Sequence, residues 1–507
     1  MGKKREDRGK EKRFRADTAC SLDRDYIIPV RSFQDLTADN VKESIMSSRY
    51  IQLLLSLTLI GFFLRFYNLG YNSLWLDEAS TLTIAVNSIP DIWQTTMAGE
   101  FNPPLFYWIE HLMLVFGYSE AVLRFIPALL GVLTIPLIYL IGKEFMDRNV
   151  GIIAAAAFAL SPFLIYYSQE ARAYSMMLFL VAFAMVFYLK ALKSNGQRDW
   201  ALFGILSALA FWSHFYALVI IGALVLYALY MQIPKIRKDP GLGRPLVIAG
   251  GIFGILCLPL IVVTIQLFAK RTTSGPTFGI PGPDLIIATF AQISGSETAM
   301  YILLLLFIAG FIQAFLIDKN KGIFLLSLTI LTFVISVFLS YRIPMQPRYL
   351  IFLTIVFFIT IAFTYTFFYS LIRSPWVVYG FIILLVMVNA TMLPGYYSGY
   401  VKEDWRGLSG QIQQQTRPGD FVVVVPMYVS QPLDYYYSNT TDQTIEFGAY
   451  TAEDLKAINA QKKNNTIFYV VTGDISSANP GGDAVAWLHE HTKTLGETRG
   501  IFLLAST

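Results

Sequence analysis

The chain has 507 residues, of which 55% are hydrophobic and 15% are charged, and its mean hydropathy is +0.52. Soluble proteins carry about 25% charged residues, so this composition excludes an ordinary soluble enzyme and indicates an integral membrane protein. The net charge is only +4, and we predict no nucleic-acid partner.

Residues 1–49 form a polar, basic segment that contains twelve lysines and arginines. No short apolar stretch with a small-residue cleavage site follows this segment, so a secretory signal peptide is not indicated. We predict that residues 1–49 are a disordered cytoplasmic arm.

Residues 50–393 contain repeated apolar runs of the length that a helix needs to cross a bilayer. The predicted fold class is therefore an α-helical polytopic membrane protein with about eleven transmembrane helices. Their approximate bounds are 50–66, 121–141, 149–166, 174–192, 200–215, 216–233, 245–268, 298–317, 322–340, 349–371 and 376–393.

Lysine and arginine collect in alternate loops between these runs, as the positive-inside rule describes for cytoplasmic loops. The pattern predicts a multi-pass protein of the plasma (inner) membrane with a cytoplasmic N-terminus and a first outer loop at 67–120. The basic loops after the arm are 143–148, 192–198, 235–244, 318–321 and 372–375.

Residues 394–507 are less apolar and have a different pattern. The stretch DWRGLSGQIQQQ predicts a helix, the dipeptide Pro418-Gly419 predicts a turn, and FVVVV, IFYVV and IFLLA predict strands. We therefore predict a small soluble α/β domain, which an odd number of spans places on the extracytoplasmic side.

The first outer loop contains two adjacent acidic residues, Asp77 and Glu78, directly after the interface-type sequence around Trp75. Two neighbouring carboxylates near a surface of low dielectric constant are expected to resist full ionisation, which would raise their basicity. Taken alone, however, the pair favours the simpler interpretation of two solvated loop residues.

Two short outer turns carry arginine, one with Glu170 and Arg172 and the other with Arg342 and Arg348. The spacing predicts that the first of these turns lies at the outer surface. Positive residues are disfavoured on that side, and guanidinium groups match phosphate oxygens, so a phosphate ligand is predicted. The alternative is pairing with lipid headgroups or with Glu170.

Three further polar residues lie near the predicted outer ends of spans. Glu120 and Arg124 are four residues apart and are predicted to pair with each other at a helix end. His214 is a metal ligand or proton carrier if acidic residues are within reach, and is otherwise a buried core residue.

The chain contains no Walker loop, no GxGxxG after a strand, no GxSxG and no HExxH. No nucleotide cofactor is therefore predicted. An enzyme with its site outside needs an activated donor that reaches the outer leaflet, and a polyprenyl-phosphate sugar meets this need.

Six segments occur in an order that resembles a known family: LWLDEA, NPPLFYW, SEAVLRFIPALLGVLTIPLIYLIGKEF, SPFLIYYSQEARAYSM, WSHFYAL and QPRYL. The series resembles the GT-C membrane glycosyltransferases of the protein O-mannosyltransferase and aminoarabinose-transferase type, called glycosyltransferase family 39. The resemblance covers about residues 50–350. It implies an inverting transfer of a sugar from a polyprenyl- or dolichyl-phosphate carrier to a lipid, glycan or protein acceptor.

The resemblance also implies roles for single residues. Asp77 occupies the family's catalytic acidic position, where it would accept the proton of the acceptor hydroxyl, and Glu78 completes the acidic pair. Glu100 and His214 resemble residues that bind a divalent metal ion in some members. The residues predicted near the carrier phosphate are Arg172, Arg348 and, from the turn of Arg348, Arg342.

Two other classes of protein fit part of the pattern. A transporter or flippase of lipid-linked sugars would hold the same phosphate, but it needs polar residues at mid-membrane depth. A non-catalytic membrane scaffold would leave the acidic and basic residues on one face unexplained. A membrane glycosyltransferase is therefore the preferred hypothesis.

Overall fold

The computed structural model describes residues 48–273, 275–276, 278–399, 401–437, 444–462 and 464–507. The predicted cytoplasmic arm, apart from its last two residues, lies outside these ranges. The described chain is largely helical and ends in a five-stranded sheet. We number helices and strands separately along the chain.

The helices up to residue 397 form one bundle, in which several short helices separate the long ones. They are α1 (Arg49–Phe66), α2 (Leu76–Ala85), α3 (Ile89–Ala98), α4 (Leu105–Met113), α5 (Glu120–Leu123), α6 (Phe125–Phe145), α7 (Arg148–Leu160), α8 (Pro162–Ser168), α9 (Tyr174–Ser194), α10 (Gln197–Ser213), α11 (Ala217–Ile236), α12 (Arg244–Arg271), α13 (Asp284–Ser294), α14 (Glu297–Ile317), α15 (Lys319–Ser340), α16 (Leu353–Phe363), α17 (Tyr365–Ile372), α18 (Trp376–Ala390) and α19 (Leu393–Tyr397).

Among the described residues, eight helical segments are long and apolar enough to cross a membrane, and a ninth is obtained if the bent pair α7–α8 is one span. A multi-pass α-helical protein is therefore confirmed, whereas the count of about eleven stays a prediction. Two of the predicted spans coincide with α10 and α18, which have only 17 and 15 residues. Both are shorter than the roughly 20 residues that span a bilayer without tilt.

The predicted span 149–166 consists of two helices, α7 and α8, which meet at an angle of 61° before Pro162. Proline has no N–H and its ring blocks the preceding turn, so carbonyl oxygens at the end of α7 lose their helical partners. Arg65, in the last turn of α1, donates to the carbonyls of Phe158 and Ala159 at 3.3 and 2.9 Å. The bend is thus stabilised by a buried arginine.

The basic loops of the predicted cytoplasmic side meet at one end of the bundle. Asn195 donates to the carbonyl of Leu242 at 3.0 Å, and Lys193 lies 2.9 Å from the carboxylate of Glu144. Helix α6 ends beside these contacts between basic loops. It begins next to Arg124, at the opposite end of the bundle. The outer loop and the candidate site lie at that opposite end.

The last part of the chain is a small α/β domain, which confirms the predicted helix, turn and three strands. Its strands are β1 (Phe421–Val425), β2 (Ile445–Gly448), β3 (Ile467–Thr472), β4 (Thr492–Thr498) and β5 (Ile501–Ser506), in the order β2-β1-β3-β5-β4. The first three are parallel, and β5 is antiparallel to β3 and β4. The helices are α20 (Trp405–Gln415), α21 (Ser430–Tyr436), α22 (Ala452–Ala460), α23 (Ile475–Ala478) and α24 (Asp483–His491).

This domain packs directly on the first outer loop. The hydroxyl of Tyr436 accepts a hydrogen bond from the backbone of Leu74 at 2.7 Å, and Ser80 donates to Gln431 at 2.5 Å. Leu76 packs against the apolar side chains between α20, α21 and the sheet. Helix α2 is therefore held between the bundle and the domain.

Candidate functional site

Asp77 and Glu78 lie in the first turn of α2, where unpaired backbone N–H groups favour negative charge. Consecutive residues on a helix point about 100° apart, so the two carboxylates reach different surroundings. The side chain of Glu78 is completely buried, whereas that of Asp77 is 24% exposed. The adjacent carboxylates therefore do not act as one pair.

Glu78 lies at the centre of a buried cluster of charges. Arg124 donates to both of its oxygens at 2.8 and 2.7 Å, Lys402 lies 3.0 Å away, and the backbone N–H of Ala171 donates at 2.8 Å. Burial opposes ionisation, but the charges of Arg124 and Lys402 outweigh it and lower the pKa of Glu78 to about 2. The expected resistance to ionisation is therefore wrong for Glu78.

Arg124 organises the outer loop instead of pairing with Glu120, and the predicted pair of these two residues is wrong. Arg124 joins α5 to α6 with right-handed helical dihedral angles, and its side chain is buried, with 1% exposed. Glu120 pairs with Arg406 and accepts a hydrogen bond from Tyr436 at 2.6 Å. Besides Glu78, the Arg124 guanidinium donates to the carbonyls of Leu69, Asn72 and Ser73.

Asp77 faces Arg348, whose guanidinium nitrogen lies 3.4 Å from its carboxylate. The Arg348 guanidinium also lies over the rings of Trp75 and Tyr349, at 5.5 and 5.6 Å from their centres. Its Nε is buried and has no hydrogen-bond partner among the described residues. Because every guanidinium N–H is a donor, Arg348 retains capacity to bind a further anionic oxygen.

The turn that contains Glu170 and Arg172 lies at the end of the bundle that carries the outer loop, and it is buried there. Arg172 is 8% exposed, and it donates to the backbone carbonyl of Asp77 at 3.3 Å. The same Arg172 nitrogen lies 3.5 Å from the hydroxyl of Tyr107 on α4. The outer loop thus covers the turn and brings Arg172 to the base of α2.

Glu170 lies in the same buried region without a hydrogen bond to either carboxylate oxygen in the described part of the chain. The ammonium group of Lys402 is 4.0 Å away. Burial, together with the negative charges of Glu78 and Asp77, raises the pKa of Glu170 to about 7 against the opposing effect of Lys402. Burial thus favours the protonated form of Glu170 up to a higher pH than in an exposed glutamate.

A cavity of about 180 Å³ adjoins these residues. Its polar lining includes Arg172, Asn102 and His214, and Tyr349, the neighbour of Arg348, also lines it. An apolar wall beside arginines suits a ligand with a hydrocarbon chain and an anionic head. The wall comes mainly from α11, α12 and the turn before Tyr349, with Leu218, Leu267, Phe268 and Ile343 among its residues.

The structure brings Asp77, Arg172 and Arg348 together, with Glu78 packed behind them. Arg342 does not join them: it is exposed at the start of its turn and does not line the cavity. The other arginine of this predicted turn, Arg348, belongs to a short 3₁₀ helix, Pro347–Leu350, that is mostly buried. The two arginines of this turn are thus in different environments.

Glu100 and His214 do not form a metal centre with other described residues. Glu100 accepts a hydrogen bond from Tyr107 at 2.8 Å, and His214 accepts one from the backbone of Tyr216 at 3.3 Å. No group of three or more His, Cys, Asp and Glu side chains that could hold a metal ion occurs in the described ranges. Arg172 contacts Tyr107 and lines the same cavity as His214, and its positive charge opposes a divalent ion here.

Comparison with known protein families gives a match in the first half of the bundle. Residues 102–264 match the family described as dolichyl-phosphate-mannose-protein mannosyltransferase. An uncharacterized protein from Aquifex aeolicus is 34% identical over 106 residues, which are 19% of this chain and 21% of that protein. The chain thus matches about a fifth of the length of this relative.

Solved structures match the chain over nearly its whole length. ArnT from Cupriavidus metallidurans in the apo state has a TM-score of 0.60 at 12% identity, over 90% of this chain and 98% of ArnT. The oligosaccharyltransferase of Archaeoglobus fulgidus with a tethered acceptor peptide has a TM-score of 0.54 at 14% identity, over 92% of this chain and 75% of its own. The chain shares the fold of these two proteins, and the predicted GT-C-like fold class is confirmed.

Within this GT-C fold, the residues that sequence reasoning missed are those that join distant segments. Lys402 reaches the first outer loop from the start of the C-terminal domain. Arg271, at the end of α12, donates to the carbonyls of Gly99 and Glu100 at 2.7 and 2.9 Å. A buried charge requires partners, but the sequence alone does not identify those partners.

Proposed function

We propose that this GT-C chain transfers a sugar from a polyprenyl-phosphate donor to an acceptor hydroxyl, with inversion at the anomeric carbon. The observation that carries the proposal is the apolar cavity that adjoins Arg172 and Tyr349, beside the Asp77–Arg348 ion pair at 3.4 Å. Proteins of the same fold agree with it: an ArnT structure contains undecaprenyl phosphate, and an AglB structure contains dolichol phosphate.

Asp77 is the proposed general base. The acceptor oxygen forms a bond to the anomeric carbon while the bond from that carbon to the phosphate oxygen breaks, and the hydroxyl proton passes to the Asp77 carboxylate. The electron pair of the broken bond leaves with the carrier phosphate. A positioned base of this kind contributes roughly a hundredfold to ten-thousandfold in rate.

Arg172 and Arg348 are the proposed phosphate ligands. Their guanidinium groups lie on either side of Asp77, one at its backbone carbonyl and one at its carboxylate. Negative charge that grows on the leaving phosphate is stabilised by donors that are already held in position. Glu78 is a positioning residue in this scheme, because its contacts with Arg124 and Lys402 hold the first turn of α2 in place.

We place this site on the extracytoplasmic side of the plasma (inner) membrane, because the basic loops lie at the other end of the bundle. The assignment of Glu100 and His214 to a divalent metal ion stays a prediction. The Archaeoglobus oligosaccharyltransferase was crystallised with zinc and sulfate, but the residues around Glu100 and His214 do not fit such an ion. No step of the proposed reaction passes through it.

The proposal is tested with the purified chain in vesicles, supplied with a panel of polyprenyl-phosphate sugars and with lipid, glycan and peptide acceptors. Mass spectrometry should detect one glycosylated acceptor class together with released polyprenyl phosphate. If the donor instead crosses the bilayer unchanged and no acceptor is glycosylated, the chain is a flippase of lipid-linked sugars and not a transferase.

A further inference from the structure

The C-terminal sheet presents the carboxyl ends of its parallel strands to the helix that carries Asp77. Strand β1 lies between β2 and β3, so the chain connections change direction at the boundary between β1 and β3. In open α/β sheets, ligands bind in the crevice outside the carboxyl ends of the strands at such a boundary. Helix α21, which follows β1, contacts α2 through the hydrogen bond between Ser80 and Gln431.

Two tyrosines stand at this edge of the sheet. Tyr428 follows β1 and is 40% exposed, and Tyr450 follows β2 and is 38% exposed. Their ring centres are 6.4 Å apart and the rings are inclined by 31°. Two neighbouring aromatic rings that are partly exposed to solvent present an amphipathic surface, which is typical of ligand contacts.

Acidic side chains lie beside the tyrosines. Burial and the negative charge of Asp77 raise the pKa of Asp474, which follows β3, and burial and the charge of Asp474 raise that of Glu403. Asp474 also raises the pKa of Tyr428, after burial. Val425 of β1 pairs with Val471 of β3 in the parallel register, and Tyr428 and Asp474 each lie three residues beyond this pair, so both stand at the same end of neighbouring strands.

The end of β3 has unused space and an unused polar group. The hydroxyl of Thr472, a residue that is 1% exposed, has no hydrogen-bond partner among the described residues. A side chain added at the next residue, Gly473, would meet no atom within 4 Å. The sheet edge is therefore open at Gly473, next to a buried hydroxyl that has no partner in the described part of the chain.

We infer that this edge, formed by Tyr428, Tyr450 and Asp474, is an acceptor subsite for a neutral saccharide. Sugar hydroxyl groups donate to carboxylates, and the C–H faces of a sugar ring pack against tyrosine rings. The carboxylates repel an anionic headgroup, which disfavours a phosphorylated acceptor. The inference rests on the proposed function and adds to it the chemical class of the acceptor.

The distribution of charge separates the two substrates. Arginines lie on the side of Asp77 that adjoins the apolar cavity, and carboxylates lie on the side of the sheet. The phosphate of the carrier is attracted to the first side, and a neutral polyol is accepted on the second. A saccharide at the sheet edge then directs a hydroxyl group toward the carboxylate of Asp77.

The experiment measures binding to the full chain in nanodiscs by titration calorimetry. The probes are mannotriose and maltotriose as neutral saccharides, glucose 6-phosphate as an anionic sugar, and a serine-containing pentapeptide. A neutral trisaccharide should bind, and Tyr428→Ala, Tyr450→Ala and Asp474→Asn should each weaken it at least about fivefold. Tyr118→Ala, an exposed tyrosine of the outer loop, is the matched control and should bind as the wild type does.

The variants should bind undecaprenyl phosphate as tightly as the wild type, which shows that the bundle is intact. Failure of both trisaccharides to bind, preference for the peptide or the phosphorylated sugar, or equal binding by all variants would overturn the subsite. If transfer proceeds and the three variants leave the acceptor KM unchanged, the subsite is wrong and the proposed reaction stands. If transfer never occurs but trisaccharide binding depends on Tyr428 and Tyr450, the reaction is wrong and the subsite stands.

Discussion

The ammonium group of Lys402 lies 3.0 Å from the carboxylate of Glu78, and these side chains are only 3% and 0% exposed. This ion pair connects the start of the C-terminal domain to the first turn of α2, where Asp77 lies. A buried ion is costly without its partner, so the domain and the outer loop are expected to hold each other in place.

Lys402→Met should lower the stability of the protein, because it leaves Glu78 and Glu170 buried with one cation fewer. The loss is about 3–5 kcal/mol if the buried pair behaves as others do. Thermal unfolding in detergent measures it, and Lys456→Met, at an exposed position on α22, is the matched control. Equal unfolding temperatures for the two variants would show that the pair does not hold the domain in place.

Asp77→Asn should reduce the rate of sugar transfer by roughly a hundredfold or more, because the amide keeps the shape but cannot accept the proton. Donor binding should persist, since the arginines remain. Transfer rate and donor binding are measured on the same purified variant. Asp284→Asn, also in the first turn of a helix but exposed, is the control, and near-normal transfer by Asp77→Asn would remove Asp77 as the base.

Arg348→Ala should raise the donor KM by roughly tenfold or more, because a charge-assisted hydrogen bond to the phosphate is lost. Arg348→Lys should recover only part of the effect, since a lysine cannot reproduce the planar fork. Donor titration compares both with Arg417→Ala, an exposed position in the C-terminal domain. A donor KM unchanged in both Arg348 variants would assign Arg348 to the structure of the turn alone.

The raised pKa of Glu170 predicts that the stability of the protein depends on pH. Its pKa is raised from 4.5 to about 7 in the folded protein, so between these values the folded state retains a proton that the unfolded chain has released. This contribution to stability therefore falls as the pH rises from about 4.5 to about 7, and is level above that.

The side chain introduced by Glu170→Gln cannot ionise, so this decline in the free energy of unfolding should disappear. The difference in free energy of unfolding between the variant and the wild type should therefore increase by up to about 3 kcal/mol from pH 5 to pH 8. Thermal unfolding at the two pH values measures the difference. Glu490→Gln, at an exposed position on α24, should follow the wild type. A constant difference between Glu170→Gln and the wild type at both pH values would contradict a carboxyl group that titrates near pH 7.

The membrane class, the helical bundle and the small α/β domain follow from sequence because they depend on local pattern. Apolar runs long enough to span a bilayer are visible in single segments, and so is the strand FVVVV that becomes β1. Strands β2 and β4 were missed because β2 is short and β4, with the sequence TKTLGET, is polar. The break before Pro162 is a local effect of proline, but its stabilisation by Arg65 is not visible locally.

The sequence by itself determined which residue types the site contains: Asp77, Arg172 and Arg348 are recognisable from their motifs and from their unusual charge near apolar runs. Only the tertiary structure decided their partners. Neighbours such as Asp77 and Glu78 diverge because a helix turns about 100° per residue. Buried charges choose partners by distance in space, so Glu78 pairs with Arg124 and Lys402, which no spacing along the chain reveals.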